Sequence, residues 1–185
     1  AIQKNAAFDL AAAMLERVGI QYSRERMLQS PFEFSGGMRQ RVMIAMALVC
    51  QPQILICDEP TTALDVTIQA EILALLKELK ATIDISVLFI THDLAVVAQI
   101  ADQVIVMNQG RILETGSVRQ ILNDPIHPYS QGLIAAVPGM KRQPRLDAIS
   151  NDSTRHNYGV HPLIAIKGDR EVALPMPLIP AEYQL

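Results

Sequence analysis

The chain has 185 residues, half of them apolar and only 4% aromatic, with no Trp. That length can bury one sizeable core, which must be built from Ile, Leu, Val, Ala and Met. A net charge of −3 and a pI near 5.8 argue against nucleic acid as the main partner, because nucleic acid would favour a basic face.

The elements follow in chain order. "FDLAAAMLERVGI" reads as a helix carrying Leu10, Ala13, Met14, Leu15 and Val18, with Gly19 as its stop. A polar connector, "QYSRERMLQSPFEF", breaks at Pro31. "FSGGMRQR", Phe34 to Arg41, then runs a Ser and two Gly into a helix opening with Arg39, Gln40 and Arg41. Exposed N–H groups at a helix start, with glycines that permit close approach, make an anion site. Residues 38–50 are expected to form a helix buried nearly all round. "QILIC" (53–57) is expected to be a short buried strand.

Ile68, Ile72, Leu75, Leu76 and Leu79 define the apolar face of the next helix, opposite Gln69, Glu71, Lys77 and Glu78. "SVLFI" (86–90) reads as a second buried strand, followed by "THD" and a short helix through Ala101. "QVIVM" and "RILET" flank "NQG", a hairpin turn with Gly110 placed for positive φ. A helix is expected near 117–123. Strand and helix alternate, so the fold class is α/β, a parallel sheet with crossover helices. Beyond about Pro138 the pattern fails. The tail holds six of the eleven prolines (Pro138, Pro144, Pro162, Pro175, Pro177 and Pro180) and is expected to be irregular.

No apolar run reaches the roughly 18–20 residues that span a bilayer, and no signal peptide opens the chain. A membrane role is therefore expected to come from docking onto a membrane protein. Cys50 and Cys57 lie in apolar segments without metal-ligand spacing. Both are expected to be buried free thiols, consistent with the cytosol.

Three short motifs carry chemistry. In "ILICDEP", Asp58 and Glu59 stand at the carboxyl end of a parallel strand, where ligand crevices form. Mg²⁺ prefers carboxylate, water and phosphate oxygens, so Asp58 is the candidate metal residue. Glu59, pointing the other way, could orient or deprotonate an attacking water. The same pair also reads as an acidic turn after a strand. In "ITHD", His92 follows its strand as Glu59 follows its own, so both can face one crevice and a γ-phosphate or water there. Taken singly, His92 reads better as lying at the start of a helix capped by Thr91 or Asp93. In "TTALD", Asp65 is placed as an N-cap. His127, His156 and His161 show no ligand spacing.

The order of "FSGGMRQR", "ILICDEP", "TTALD" and "ITHD" closely resembles the nucleotide-binding subunits of ABC transporters, over about residues 8–138. There the four are the signature motif, Walker B, the D-loop and the H-loop. "HPYSQGLIAAVP" (127–138) looks like the segment after the ATPase core in dipeptide and oligopeptide importers. The resemblance implies a partial P-loop NTPase core of ABC type with part of the helical subdomain. It places Ser35, Gly36, Gly37 and Gln40 at ATP, with Asp65 as the D-loop residue. It makes Asp58 the Mg²⁺-shell residue, Glu59 the catalytic base and His92 the switch histidine.

Implied partners are a second ATPase subunit, met head to tail so that the signature touches the partner's nucleotide, and transmembrane permease subunits. The implied location is peripheral, on the cytoplasmic face of the cell membrane. Phe34 stands where the family usually has Leu, and Cys57 where Ala is more usual. The tail lacks the family's frequent cysteine-rich segment, and "RLDAI" (145–149) resembles the family only briefly. No Gly is followed by Lys, so no GxxxxGK[ST] P-loop occurs. The P-loop, its neighbouring strands and the glutamine loop are expected upstream of Ala1. Expected divisions are 1–37 (end of the helical subdomain and signature), 38–124 (catalytic core) and 125–185 (extension). Other readings are a non-catalytic interaction module and a non-transport ABC ATPase of DNA repair.

Overall fold

The computed structural model describes residues 3–137, 161–174 and 178–184. The chain divides into two compact units, Ala1–His92 and Asp93–Leu185. Helix α3, which begins at the signature, packs against both the preceding α1 and the following α4.

In the first unit, α1 (Lys4–Arg17) ends as the sequence predicts. Gly19 takes φ +82°, its N–H donates to Glu16 O, and the Ile20 N–H donates to Leu15 O. That is the Schellman closure. A short α2 (Ser23–Arg26) and a 3₁₀ turn (Pro31–Glu33) lead into α3 (Gly36–Leu48). Strand β1 (Ile54–Asp58), helix α4 (Val66–Thr82) and strand β2 (Ser86–Ile90) form a parallel crossover unit. Helix α4 starts where Asp65 accepts the Ile68 N–H and buries Ile72, Leu73, Leu75, Leu76 and Leu79.

Four expectations of burial need correction in this unit: those for α3, β1, Cys50 and β2, whose residues are all exposed or half-buried. Helix α3 buries Ile44, Ala45 and Leu48, but Met43 and Met46, on its other side, are 55% and 68% exposed. Strand β1 buries only Leu55 and Cys57, and Ile54 and Ile56 are 62% and 64% exposed. The pleat sends alternate residues to opposite faces, and only one face of this pair is covered within the described unit. Of the cysteines, Cys57 is buried but Cys50 is exposed. Burial pushes the Cys57 thiol up to about 11.

The second unit holds α5 (Leu94–Ile100), the hairpin β3 (Gln103–Asn108) and β4 (Arg111–Ser117), α6 (Val118–Asn123) and α7 (Pro128–Ala135). The hairpin turn is the expected one: Gln109 and Gly110 both take positive φ, 49° and 74°. A two-residue loop of that kind matches the strand twist. Helix α6 is closed at its start by a reciprocal pair, Ser117 and Gln120.

The tail departs from the irregular chain expected. Strands β5 (Ile164–Ile166) and β6 (Arg170–Val172) extend the hairpin into an antiparallel sheet of order β3-β4-β6-β5. Ile126, Ile166, Val172, Leu174 and Ile179 form the core beside it. "RLDAI" lies outside the described residues.

Candidate functional site

The signature segment is a helix start assembled in steps. Pro31 opens the 3₁₀ turn, and the Ser30 N–H donates to the Glu33 carboxylate at 2.7 Å. Ser35 then serves as N-cap of α3, its Oγ accepting the Met38 N–H at 3.3 Å. The hydroxyl proton remains available for an anion. Ser35 and Gly36 are exposed, Gly37 is buried and Gln40 is half-buried.

Neither glycine takes positive φ. Gly37 is there for close approach: a Cβ at that position would lie 2.5 Å from Ile68 Cγ2. A Cβ on Gly36 would meet Leu64 Cδ2 at an ordinary 3.5 Å. Leu64 and Ile68 flank Asp65, so the signature turn and the "TTALD" turn are packed together.

Arg41 fixes the rest of α3. Its Nη1 donates to Val18 O at 2.8 Å and its Nη2 to Glu71 at 3.0 Å. One guanidinium thereby ties together the end of α1, the signature helix and α4. Gly19 leaves room for it, since a Cβ there would come within 2.9 Å of Nη1.

Glu59 follows β1 with φ at +47°, a backbone state that costs a non-glycine residue on the order of 1–3 kcal/mol. Its N–H donates to Ile90 O at 2.9 Å, which ties the turn to the end of β2. That places the Glu59 side chain beside His92. The His92 Nδ1 lies 2.7 Å from Glu59 Oε1, and the His92 backbone N–H donates to the same oxygen at 3.1 Å. An ionised carboxylate only accepts, so Nδ1 carries the proton in this contact. Thr62 Oγ donates to the other oxygen, Oε2, at 2.7 Å. The His92 side-chain bond, then that of Thr62, holds the Glu59 carboxyl below its ordinary range. The carboxylate is thereby kept ionised, so its remaining lone pairs can accept a hydrogen bond from a donor such as water.

The remaining candidates are placed plainly. Asp58 is exposed on the face of β1 that carries Ile54 and Ile56. Asp65 is exposed and caps α4. Asp93 caps α5 through Ala95 and Val96, so the capping reading of "THD" holds together with the Glu59 contact of His92. Sequence reasoning missed Thr62; a hydroxyl three residues after the carboxylate was the only signal.

Known proteins resemble this chain in sequence and in fold. The family model described as ABC transporter matches residues 1–62, and that for the oligopeptide/dipeptide transporter C-terminal region matches 113–158. The oligopeptide transport ATP-binding protein OppD of Bacillus subtilis is 59% identical over 140 residues, covering 76% of this chain and 39% of that protein. The glutathione import ATP-binding protein GsiA of Salmonella choleraesuis is 60% identical over 128 residues, covering 69% of this chain and 20% of that protein. Among solved structures, cbiO1 of Clostridium perfringens, part of the ABC transporter complex cbiONQ, superposes with a TM-score of 0.58 at 31% identity. That likeness covers 67% of this chain and 48% of cbiO1. The chain thus spans less than half the length of these relatives. It belongs to the family of ABC transporter ATP-binding proteins and carries the carboxyl-terminal region of the oligopeptide/dipeptide transporters.

Proposed function

We propose that this chain is the signature-to-H-loop part of an ATP-binding subunit that couples ATP hydrolysis to import of peptides, or a related small substrate, through a membrane permease. The observation that carries this reading is the Glu59–His92 contact at 2.7 Å, which joins the carboxyl ends of two parallel strands. In this reading Glu59 is the base that takes the water proton, and His92 orients its carboxylate. Ser35 and the amides about Gly36 and Gly37, with Gln40 on the same helix, face the ATP of a second subunit arranged head to tail. Asp65 stands at the turn packed against them.

The donor set suits Mg²⁺. Asp58 offers one exposed carboxylate, and no cluster of three or more His, Cys, Asp or Glu occurs among the described residues. Mg²⁺ normally takes one or two carboxylates and completes its shell with water and phosphate. When bound, the ion would offset charge on the phosphates. Partners are the second ATPase subunit and the permease, at the cytoplasmic face of the cell membrane.

Glu59→Gln, introduced into the intact subunit that supplies a P-loop, tests the reading. ATP binding is expected to persist while hydrolysis is lost, because the change removes a base and no phosphate ligand. Hydrolysis at the wild-type rate would refute the assignment. For the chain by itself a second reading, a non-catalytic interaction module, is favoured by one feature: the sequence contains no GxxxxGK[ST]. Phosphate release by this chain at the buffer-blank rate is expected.

A further inference from the structure

We infer that Thr62 is a positioning residue for the proposed hydrolysis and that it selects Oε2 of Glu59 as the oxygen that receives the water proton. The inference rests on the reading of Glu59 as the base. Its warrant is how the carboxylate's lone pairs are used. Two carboxylate oxygens offer about four acceptor sites. Oε1 takes both His92 donors, Nδ1 at 2.7 Å and the backbone N–H at 3.1 Å, and is saturated. Among the described residues Oε2 takes only the Thr62 hydroxyl, at 2.7 Å, which leaves it one acceptor site.

Thr62 therefore decides where that remaining site points. Without it the carboxylate is held by His92 alone, so it can turn, both His92 bonds weaken, and Oε2 loses a fixed direction. Thr62 is itself held. Its N–H donates to Glu59 O at 3.2 Å, closing the turn over the residue it orients. The Glu59 backbone at φ +47° aims the side chain back across this turn. In the chemical step, the water O–H bond breaks as its proton passes to Oε2. The water oxygen bonds to the γ-phosphorus, and the bridging oxygen leaves with ADP, taking the electron pair of the broken P–O bond.

Thr62→Val keeps the shape and removes the donor, whereas Thr62→Ser keeps the donor. In the 185-residue chain, amide hydrogen exchange is followed at His92, whose N–H bonds the same carboxylate. Thr62→Val is expected to speed exchange at His92 roughly tenfold while the β1 and β2 amides keep their protection, and Thr62→Ser to restore it. In the intact subunit, Thr62→Val is expected to lower kcat on the order of 10- to 100-fold with KM for ATP unchanged. Equal acceleration across β1 and β2 would make Thr62 a merely structural residue and overturn the inference, as would unchanged His92 exchange with unchanged kcat. An intact wild-type subunit that hydrolyses no ATP would refute the proposed function, while the exchange result would still decide whether Thr62 holds the carboxylate.

Discussion

Glu114 and Arg170, 56 positions apart, meet at 2.6 Å with their side chains 0% and 2% exposed. Both carboxylate oxygens are engaged: Oε1 also accepts the Ile126 N–H, and Oε2 accepts the His127 N–H. Arg170 further donates to Asp124 O at 2.7 Å, and Tyr183 donates its hydroxyl to Asp124 Oδ2 at 2.6 Å. The last strand of the tail is thus locked to β4 through a desolvated ion pair.

Breaking that pair on one side leaves a buried charge without its partner. Arg170→Met is expected to destabilise the second unit by about 3–5 kcal/mol, read from denaturant midpoints. Replacing both members, Glu114→Leu with Arg170→Met, should cost less than the sum of the two single changes. Additive losses would mean that the two side chains do not act as a pair.

His127 is fully buried and caps α7, its Nδ1 accepting the Tyr129 N–H at 3.1 Å. Burial lowers its affinity for a proton, against a smaller opposing pull from Glu114. The folded pKa therefore lies below the unfolded value near 6.5. Its contribution to stability is complete above about pH 6.5 and is lost as pH falls through that value toward the folded pKa. Unfolding free energy measured from pH 8 down to pH 5 is expected to decline. His127→Asn, which can still cap a helix but does not titrate, should flatten this part of the profile.

Gly37 and Gly36 should respond differently to alanine. Gly37→Ala forces a Cβ against Ile68 and is expected to cost roughly 1–3 kcal/mol, as overpacking does. Gly36→Ala meets only ordinary contact with Leu64 and should leave stability unchanged or slightly raised. Thermal melts of the two variants check the order. Equal melting temperatures would mean that Ile68 can move aside freely.

What the sequence made legible was local. The apolar stripe of α4, the Asp65 cap, the Gly19 stop and the Asn108–Gly110 turn each depend on residues within a few positions, and each appears as read. Glu59 and His92 could be paired because each follows a parallel strand. The Glu114–Arg170 lock was hidden because β5 and β6 are three residues each and β6 finds β4 only across a long stretch of chain. No periodicity survives in strands that short, and the prolines around them signalled irregularity. The exposed side of α3 was also hidden, since an Ala- and Met-rich helix looks alike on every face. Whether Met43 and Met46 are covered depends on neighbours that the helix sequence does not encode.

Strands β1 and β2 present the last testable consequence. Register places Ile54 opposite Ser86, Ile56 opposite Leu88 and Asp58 opposite Ile90, so these residues share one face of the sheet. Ile54 and Ile56 are 62% and 64% exposed, and Leu88 and Ile90 are 48% and 46% exposed. Parallel strands normally have both faces covered, and soluble monomers rarely expose contiguous apolar patches beyond a few hundred Å². A two-stranded sheet also offers N–H and C=O groups along its edges that recruit other chains. The purified chain is therefore expected to self-associate or to bind hydrophobic dyes strongly. Ile56→Lys places a charge in the middle of this face and should reduce both effects, without disturbing the Leu55 and Cys57 side of the strand. Light scattering gives the mass, and dye fluorescence reports the open face. A compact, dye-silent monomer would mean that this face is covered in solution, and the exposure of Ile54 and Ile56 would no longer describe the chain.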